Sequence, residues 1–479
     1  MNAKDCETPL IDFRAYEVPS THERLGADHN LRGRGVTIAF LDSGFYPHPD
    51  LGDRIVAYVD LGGEVNNLNP RNCRHSWNWH GMMTSVVACG DGSLSEGRYA
   101  GLASEAKLVL IKCSRKGRIC DDLILEGLKW VQANAERYHI DILNISVGSD
   151  FDPKELNCAI SQASEELVSQ GVFVIAAAGN NRGLPHPPAN APSVFTVGGC
   201  VARNACSPDD LDLYSSSFGV ILDLVVKPEV IAPAAWVAAP FLPGTEEYKR
   251  AQYCYDLAHA TGGPLLNLLN EVPSVAGLPR KLRTLERSEV CELLNKALLG
   301  DKVVGRHYQH VDGTSFAAPI VASVVAQMLE SNPQLSPAAI RQILMSTADR
   351  VNGKDLLAQG CGVVNASRAV EQVRDFWRSE QICELRPPLV SNGHLSFVFV
   401  NNQAHKIELM GDFNDWTPHQ YLFQEIFDGL WRVEIEAPPP GRYRYKFRVD
   451  ERDWYEDPAN TYRQPNVWGS YDSVLNIAS

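Results

Sequence analysis

Three short segments of this 479-residue chain carry side chains that could form a nucleophilic catalytic site. Asp42 closes an apolar run and precedes Ser-Gly, His80 opens a run of small residues, and Ser315 stands just before a long apolar segment. Nucleophilic catalysis needs a hydroxyl, a base that takes its proton, and a carboxylate that holds the base in the right tautomer. All three groups are present, in the order Asp, His, Ser.

Each of these segments also has a purely structural interpretation. A Ser before a helix is usually an N-cap, a His before a helix is usually a surface or core residue, and Asp-Ser-Gly is usually a turn. Short motifs match by accident, so one segment alone does not indicate catalysis. The hypothesis rests on the three segments together.

The elements around these segments follow an alternating pattern. Buried strands are predicted at residues 36–41, 108–112, 140–145 and 172–177, and helices at 123–138 and 153–169. Such alternation is typical of βαβ units with a largely parallel sheet. Active sites in these folds collect at the carboxyl ends of the strands.

The chain resembles the subtilisin-like serine peptidases, or subtilases, over residues 31–374. Besides the three segments, the stretches similar to the family are 101–112, 141–148, 174–180 and 227–233, in the family's order. Subtilisin has the same chain order of Asp, His and Ser. The resemblance implies an α/β fold, a subtilisin-like three-layer domain with a mainly parallel sheet, and the activity of a serine endopeptidase on protein or peptide substrates.

The resemblance also implies roles for individual residues. Ser315 would be the nucleophile, His80 the general base and acid, and Asp42 the carboxylate that orients His80. Asn180 would donate to the oxyanion together with the backbone N–H of Ser315. Without the resemblance, Asn180 is a turn-forming residue after a strand. Residues 145–148 would pair with an extended peptide as an added strand.

Some features depart from the family. Met follows His-Gly where Thr is common, and Asp312 and Phe316 stand where Ser and Met are common. The largest departure is residues 241–309, an insertion whose Leu-rich stretches predict added helices. We expect it either to pack on the surface or to form a lid over the substrate cleft. The peptidase domain is predicted at 31–375, after an N-terminal arm at 1–30.

The tail of the chain is built on a different plan. Residues 393–479 contain 16 aromatic residues in 87, whereas aromatic residues make up 9% of the whole chain. Apolar and charged residues alternate over 431–436 and 442–449, which predicts a C-terminal antiparallel β-sandwich of immunoglobulin-like type. A linker is predicted at 376–392.

The tail resembles the glycogen-binding module of the AMP-activated protein kinase beta subunit and the early-set sandwich of isoamylase and branching enzymes. Two Trp side chains and a Lys contact sugar in that family, and Trp416, Trp454 and Lys446 occupy those positions. Trp468 and Asp472 lie near the family's last contacting segment, although an aliphatic residue is usual where Trp468 stands. The resemblance implies binding of an alpha-glucan such as glycogen, since flat aromatics and a few donors match a sugar. We expect Lys446 on the solvated outer face of its strand.

Composition excludes several classes of function. The net charge of −14 without a dense basic block argues against nucleic acid. The longest apolar stretches are well short of the ~18 residues of a membrane helix, and the first residues contain no apolar signal region, so we expect a cytoplasmic protein without a membrane partner. The twelve cysteines form no C-x-x-C pair, which favours free thiols. No cofactor is expected for the chemistry and no metal site is assigned, while structural calcium held by scattered oxygens stays open.

The leading hypothesis is a serine endopeptidase that works through an acyl-enzyme and is brought to an alpha-glucan by its tail. The alternative is a catalytically silent scaffold or protein-docking protein, in which the sandwich keeps its fold with or without sugar binding. The presence of all four residues, Asp42, His80, Ser315 and Asn180, counts against a catalytically silent protein. A glucan hydrolase is disfavoured because no recognisable pair of catalytic carboxylates is present.

Overall fold

A mostly parallel sheet of eight strands lies at the centre of the N-terminal domain. The computed structural model describes residues 6–64, 68–69, 75–201, 210–222, 225–376, 388, 390–391, 393–401, 404–427 and 429–477. The strands of this domain are β1 (Thr37–Asp42), β2 (Ile55–Asp60), β3 (Lys107–Lys112), β4 (Ser114–Arg115), β5 (Arg118–Ile119), β6 (Ile142–Ile145), β7 (Phe173–Ala177), β8 (Phe195–Val201), β9 (Asp212–Leu213), β10 (Gly219–Ile221), β11 (Val225–Lys227), β12 (Val230–Ala235), β13 (Val237–Pro240), β14 (Val303–Gly305) and β15 (Tyr308–Val311). The order in the sheet is β12-β8-β7-β6-β1-β3-β2, and β9 pairs antiparallel with β8.

Helices cover both faces of this sheet. They are α1 (Thr21–Leu25), α2 (Trp79–Cys89), α3 (Asp121–Tyr138), α4 (Ala159–Ser169), α5 (Glu246–His259), α6 (Gly262–Asn270), α7 (Arg287–Gly300), α8 (Thr314–Ser331), α9 (Pro337–Ser346), α10 (Leu356–Gln359) and α11 (Ala366–Phe376). Ile38 and Phe40 of β1 pack in the core cluster of α2 and α8, while Ala39 and Leu41 pack in the cluster of α3 and α4. Successive side chains of a strand point to opposite faces, so the apolar run of β1 contributes to both cores. The predicted three-layer α/β domain is confirmed.

The insertion forms a small helical unit with its own core. Helices α5, α6 and α7 pack around Cys254, Leu265 and Leu294. The N-terminal arm contributes Leu10 and Phe13 to the same cluster. The predicted added helices are therefore present, and they rest against the arm and the ribbon β13-β15-β14.

Two antiparallel sheets form the C-terminal sandwich. Its strands are β16 (Val390–Ser391), β17 (His394–Val400), β18 (Ile407–Gly411), β19 (Gln424–Phe427), β20 (Leu430–Glu436), β21 (Gly441–Val449), β22 (Asp453–Tyr455), β23 (Arg463–Pro465) and β24 (Tyr471–Ile477). One sheet has the order β16-β17-β20-β19; the other has β18-β21-β24-β23, with β22 beside β21. Trp431, Val433 and Ile435 of β20 are buried, and the charged residues that alternate with them over 432–436 are exposed, as the alternation predicts. The predicted antiparallel fold of the tail is confirmed, while most of the predicted linker lies outside the described residues.

The sandwich packs directly on the N-terminal domain. The guanidinium of Arg463 is buried, and it donates to Cys361 Sγ (3.3 Å) and to the carbonyl oxygen of Pro228 (3.4 Å). The Tyr471 hydroxyl donates to the carbonyl oxygen of Leu356 at 2.8 Å. Apolar residues of the sandwich join the core cluster beside α11; they are Val398, Val400 and Leu430. The two domains thus share buried surface.

Within the described part of the chain, no helix is both long enough and apolar enough to cross a membrane. Nine cysteines of the same residues are free thiols. Burial raises the pKa of Cys89, Cys200 and Cys254 to about 12 each.

Candidate active site

A buried carboxylate and an imidazole form the centre of the site. Asp42, the last residue of β1, lies 2.7 Å from His80 Nδ1 through its Oδ1 atom. The same carboxylate accepts hydrogen bonds from the Ser43 backbone N–H (2.6 Å) and from Thr84 Oγ1 (3.0 Å). The Asp42 contact favours a proton on Nδ1 of the neutral imidazole, so Nε2 is the atom that can act as a base.

Glycine permits this close approach of helix and strand. A Cβ atom added at Gly81 would lie 2.3 Å from the carbonyl oxygen of Gly44 and 3.0 Å from Asp42 Cβ. The helix that carries His80 can therefore rest on the end of β1 only with glycine at this position. Close packing of α2 on β1 therefore explains why glycine follows His80 in the sequence.

Burial and charge act in opposite directions on His80. Burial of the imidazole lowers its pKa, whereas the charge of Asp42 and the hydrogen bond between them raise it. The two contributions from Asp42 together exceed that of burial, and the pKa of His80 lies above its ordinary value of 6.5.

Ser315 stands in the first turn of α8. Its hydroxyl donates to the carbonyl oxygen of Ser146 at 3.3 Å, and Ser146 Oγ donates to the carbonyl oxygen of Ser315 at 2.9 Å. The next residue, Phe316, places its ring centroid 5.7 Å from that of His80. The nucleophile candidate is thus bonded to the segment after β6, and the residue that follows it contacts the His80 ring.

The Asn180 side chain is oriented by Thr314. Its Oδ1 atom accepts from the backbone N–H of Thr314 (2.9 Å) and from Thr314 Oγ1 (3.0 Å). Thr314 Oγ1 in turn accepts from the backbone N–H of Gly179 at 3.1 Å. Because these contacts use Oδ1, the Nδ2 group is the part of the amide that can donate to a bound molecule.

A cavity of about 320 Å³ adjoins Ser315 and Asn180. The segment 146–150 forms one wall and residues 177–181 form the other. Residues 146–148 of the predicted peptide-flanking segment, 145–148, therefore border a space that opens beside the candidate nucleophile, while Ile145 is buried. The sequence analysis did not identify Thr84, Ser146 or Thr314 as parts of the site. For Thr84 a signal was available, because it lies four residues after His80 and therefore on the same helix face.

The predicted sugar residues lie in two groups. Trp416 and Trp454 have ring centroids 6.2 Å apart with a 47° angle between their planes, and Trp454 is 43% exposed. Trp416 Nε1 donates to Asp412 Oδ1 at 2.9 Å. These two indoles form a partly exposed aromatic pair, which we call the Trp pair.

The second group gathers at the loop 466–470. Lys446 Nζ donates to Ser470 Oγ at 2.8 Å, and Asp472 accepts from Asn466 Nδ2 at 2.7 Å. Trp468 at the loop tip is 86% exposed. The prediction of a solvated Lys446 is wrong: it is only 4% exposed, it lies near Arg350 and Cys361 of the N-terminal domain, and burial lowers its pKa.

The described residues hold no cluster of three or more His, Cys, Asp or Glu side chains suited to a metal ion.

Comparison with known proteins gives two family matches. The model of the subtilase family matches residues 33–363, more than half of the chain. The model of carbohydrate-binding module 48, the isoamylase N-terminal domain, matches residues 388–465.

Individual relatives agree with these matches. Serine protease AprX of Bacillus subtilis (strain 168) is 29% identical over 374 residues, which are 75% of this chain and 72% of that protein. Subtilisin Savinase of Lederbergia lenta is 25% identical over 358 residues, 74% of this chain and 95% of that protein. The crystal structure of fervidolysin from Fervidobacterium pennivorans superposes with a TM-score of 0.50 and 19% identity over 88% of this chain and 54% of that longer chain, which is a likeness of fold.

Proposed function

The chain belongs to the subtilase family of serine endopeptidases, and from this premise we propose that it hydrolyses peptide bonds with Ser315, His80 and Asp42 as its catalytic triad. The observation that carries the proposal is the hydrogen bond between Asp42 and His80, whose ring contacts Phe316, the residue after Ser315. The order Asp, His, Ser matches that of subtilisin.

The proposed reaction proceeds through an acyl-enzyme. Ser315 Oγ attacks the carbonyl carbon while His80 Nε2 takes the hydroxyl proton, and Asp42 stabilises the imidazolium. The negative charge on the carbonyl oxygen is met by Asn180 Nδ2 and the backbone N–H of Ser315. The C–N bond then breaks as His80 gives its proton to the leaving amine, and water repeats the sequence to release the acid and restore Ser315.

A serine-directed fluorophosphonate probe tests this assignment. Wild-type protein should be labelled at Ser315 and should cleave a denatured protein substrate, whereas Ser315→Ala should do neither. His80→Ala should abolish labelling, because the hydroxyl then lacks its base. Hydrolysis by a clean Ser315→Ala preparation would show that the nucleophile is wrong, and absence of labelling in folded wild-type protein would favour the silent scaffold.

For the C-terminal module we propose binding of an alpha-glucan of the glycogen type through the Trp pair. The partly exposed indoles of Trp416 and Trp454 support this, since aromatic faces stack on the apolar faces of sugar rings. Binding would raise the effective concentration of proteins already held on the same polymer without any change in the catalytic residues.

Native gel electrophoresis with and without glycogen in the matrix tests this proposal. Wild-type protein should be retarded by glycogen and Trp454→Ala should migrate freely. Ser315→Ala is the matched control, because it changes the peptidase site alone and should be retarded like wild type. Unchanged migration of folded wild-type protein would make the sandwich a spacer or a protein-docking domain.

A further inference from the structure

A tryptophan with an unusual backbone conformation joins β12 to β13. Trp236 has a φ angle of 58°, which lies in the left-handed region that residues other than glycine rarely adopt. The conformation is costly for a residue with a Cβ atom, so it persists only where neighbouring groups hold it. We call residues 234–236 the Trp236 bend, and its contacts identify what holds it and what depends on it.

The Trp236 bend is hydrogen-bonded to both residues that precede α8. The backbone N–H of Trp236 donates to Asp312 Oδ1 at 3.0 Å. The backbone N–H of Gly313 donates to the carbonyl oxygen of Ala234 at 2.7 Å. Gly313 is the N-cap of α8, and Ser315 follows two residues later. The position of the candidate nucleophile therefore depends on the position of the bend.

A guanidinium of the N-terminal arm holds the bend by its carbonyl groups. Arg24, on α1, donates through Nη1 to the carbonyl oxygen of Ala235 (3.1 Å) and through Nη2 to that of Trp236 (2.6 Å). Its Nε atom donates to the carbonyl oxygen of Pro19 at 3.2 Å. The planar fork of a guanidinium suits two acceptors at once, and an ammonium lacks this fork. Arg24 therefore binds two consecutive peptide groups.

One of these peptide groups links Arg24 to the nucleophile segment. The group between Ala235 and Trp236 accepts from Arg24 through its oxygen and donates to Asp312 through its N–H. Because peptide groups are planar, fixing this group and the next one fixes both backbone dihedral angles of Trp236. Lys302 pairs with the same Asp312 carboxylate at 2.7 Å. The left-handed conformation is thus held from the arm side and used on the α8 side.

The part of the arm that carries Arg24 has its own supports. Ser20 Oγ caps α1 by accepting from the backbone N–H of Glu23 at 3.2 Å, and the Glu23 carboxylate accepts from the backbone N–H of Ser20 at 2.6 Å. Earlier in the arm, Glu17 pairs with Arg98 of the peptidase domain at 2.8 Å. These contacts present the Arg24 guanidinium to the bend from a fixed helix.

We propose that Arg24 is a positioning residue for the peptidase reaction, because it holds the Trp236 bend and the bend sets the position of Ser315. The inference deepens the proposed function and rests on it. Arg24 acts through the bend and not on the substrate, so its loss should slow the chemical step and leave substrate binding nearly unchanged. The N-terminal arm is then a part of the active-site structure.

Kinetics of Arg24→Ala distinguish positioning from a purely structural role. Both kcat on a peptide substrate and the rate of fluorophosphonate labelling should fall by at least about tenfold at nearly constant KM, since small misplacements of catalytic groups are costly. Guanidinium ion at millimolar concentration should restore part of the labelling rate, and ammonium ion at the same concentration should not. A purely structural role would lower the melting temperature and leave kcat of the folded protein unchanged.

Two further variants complete the series. Arg24→Lys keeps the charge but not the fork, so its kcat should lie between those of wild type and Arg24→Ala, and it replaces Arg24→Ala if that variant fails to fold. Arg98→Met is the matched control, because it breaks the contact of the same arm with Glu17 and leaves the bend untouched. Arg98 and Glu17 are partly exposed, so this pair contributes little to stability and kcat should stay within about twofold of wild type.

The strained conformation itself can be tested at position 236. Asn adopts the left-handed region more readily than Trp does, so the bend should depend less on Arg24 in Trp236→Asn. Arg24→Ala should therefore lower kcat by a smaller factor in the Trp236→Asn background than in wild type. Equal factors in the two backgrounds would mean that the two sites act independently, which would overturn the link between Arg24 and the bend.

The remaining outcomes separate this inference from the proposed function. Wild-type kcat and labelling rate in folded Arg24→Ala would overturn the inference and leave the proposed triad in place. An equal loss of kcat in Arg98→Met would assign the effect to docking of the arm as a whole and would also overturn it. Absence of labelling and hydrolysis in wild-type protein would overturn the proposed function and the inference with it.

Discussion

The hydrogen bond between Asp42 and His80 determines the pH range in which the proposed peptidase works. The base must be neutral, so kcat/KM should fall as pH drops through the pKa of His80. That pKa is raised, and the midpoint of the acid limb should therefore lie above 6.5. In Asp42→Asn the charge of the carboxylate is lost while burial remains, so the midpoint should move below the wild-type value and the rate should fall by about 10⁴-fold. A pH profile of a peptide substrate checks both, and an unchanged midpoint would contradict the electrostatic role of Asp42.

Asn180 should act on the transition state more than on substrate binding. Its amide is held by Thr314 with Nδ2 left as the donor. Asn180→Ala should lower kcat by about 10²- to 10³-fold, the range for removal of one oxyanion donor in subtilisin, with little change in KM. Steady-state kinetics on one peptide separates the two constants. A rise in KM at constant kcat would assign Asn180 to substrate binding.

Sequence patterns predicted which candidate side chains interact better than they predicted what surrounds each side chain. Asp42 and His80 were predicted to interact, and the structure joins them by a hydrogen bond. Lys446 was predicted to be solvated because it alternates with aromatics along β21, but it is buried, with its ammonium bonded to Ser470 and close to Arg350 of the other domain. The alternation of residues along a strand shows which residues share one face of the sheet, but it does not show what packs on that face.

At the scale of elements, the contact between α2 and β1 is the most sensitive to a small change. Gly81→Ala would bring a methyl group within 2.3 Å of a backbone oxygen of Gly44. The helix must then shift away from Asp42, so activity should fall by at least about tenfold, since small misplacements of catalytic groups are costly. Gly300→Ala is the control, because nothing lies within 4 Å of its added Cβ. Kinetics and thermal melts of both variants make the comparison, and equal activities would contradict the close-packing argument.

Strands were predicted more closely than helix starts. The predicted strand at 36–41 is observed as Thr37–Asp42, because a buried parallel strand is a continuous apolar run. The helix predicted from residue 153 begins only at Ala159. Asp152 accepts a hydrogen bond from the backbone N–H of Lys154 at 2.8 Å, a local turn that competes with the helix. The insertion was predicted to be helical, but its packing against the arm, more than 200 residues earlier, has no signature in local periodicity.

For the whole molecule, the buried Arg463 links the two domains. It lies near Glu229, a fully buried carboxylate of the N-terminal domain. Burial raises the pKa of Glu229, but the charges of Arg341, Lys227 and Arg463 outweigh it, and the pKa lies below its ordinary value. A charge on the sandwich therefore helps to stabilise a charge inside the peptidase domain.

Arg463→Met should destabilise the whole chain. Removing one partner of a buried charge network costs on the order of 3 kcal/mol, so thermal unfolding should occur at a lower temperature, and inactivation of the peptidase should follow the same shift. Arg432→Met is the control, because Arg432 is exposed on β20 and such changes usually stay within about 0.5 kcal/mol. Differential scanning calorimetry checks this. Two well-separated transitions in wild-type protein would contradict a shared core.

Three buried thiols can show which part of the chain unfolds first. Cys89 is the last residue of α2 and lies in the main core, Cys254 lies in the core of the insertion, and Cys200 lies on β8 of the main sheet. A thiolate, and not a thiol, attacks a disulfide reagent, so a buried thiol with a raised pKa should not react until the part of the fold around it opens. The order in which the three thiols react under mild denaturant would then give the order in which the insertion, the β8 end of the main sheet and the core around α2 unfold.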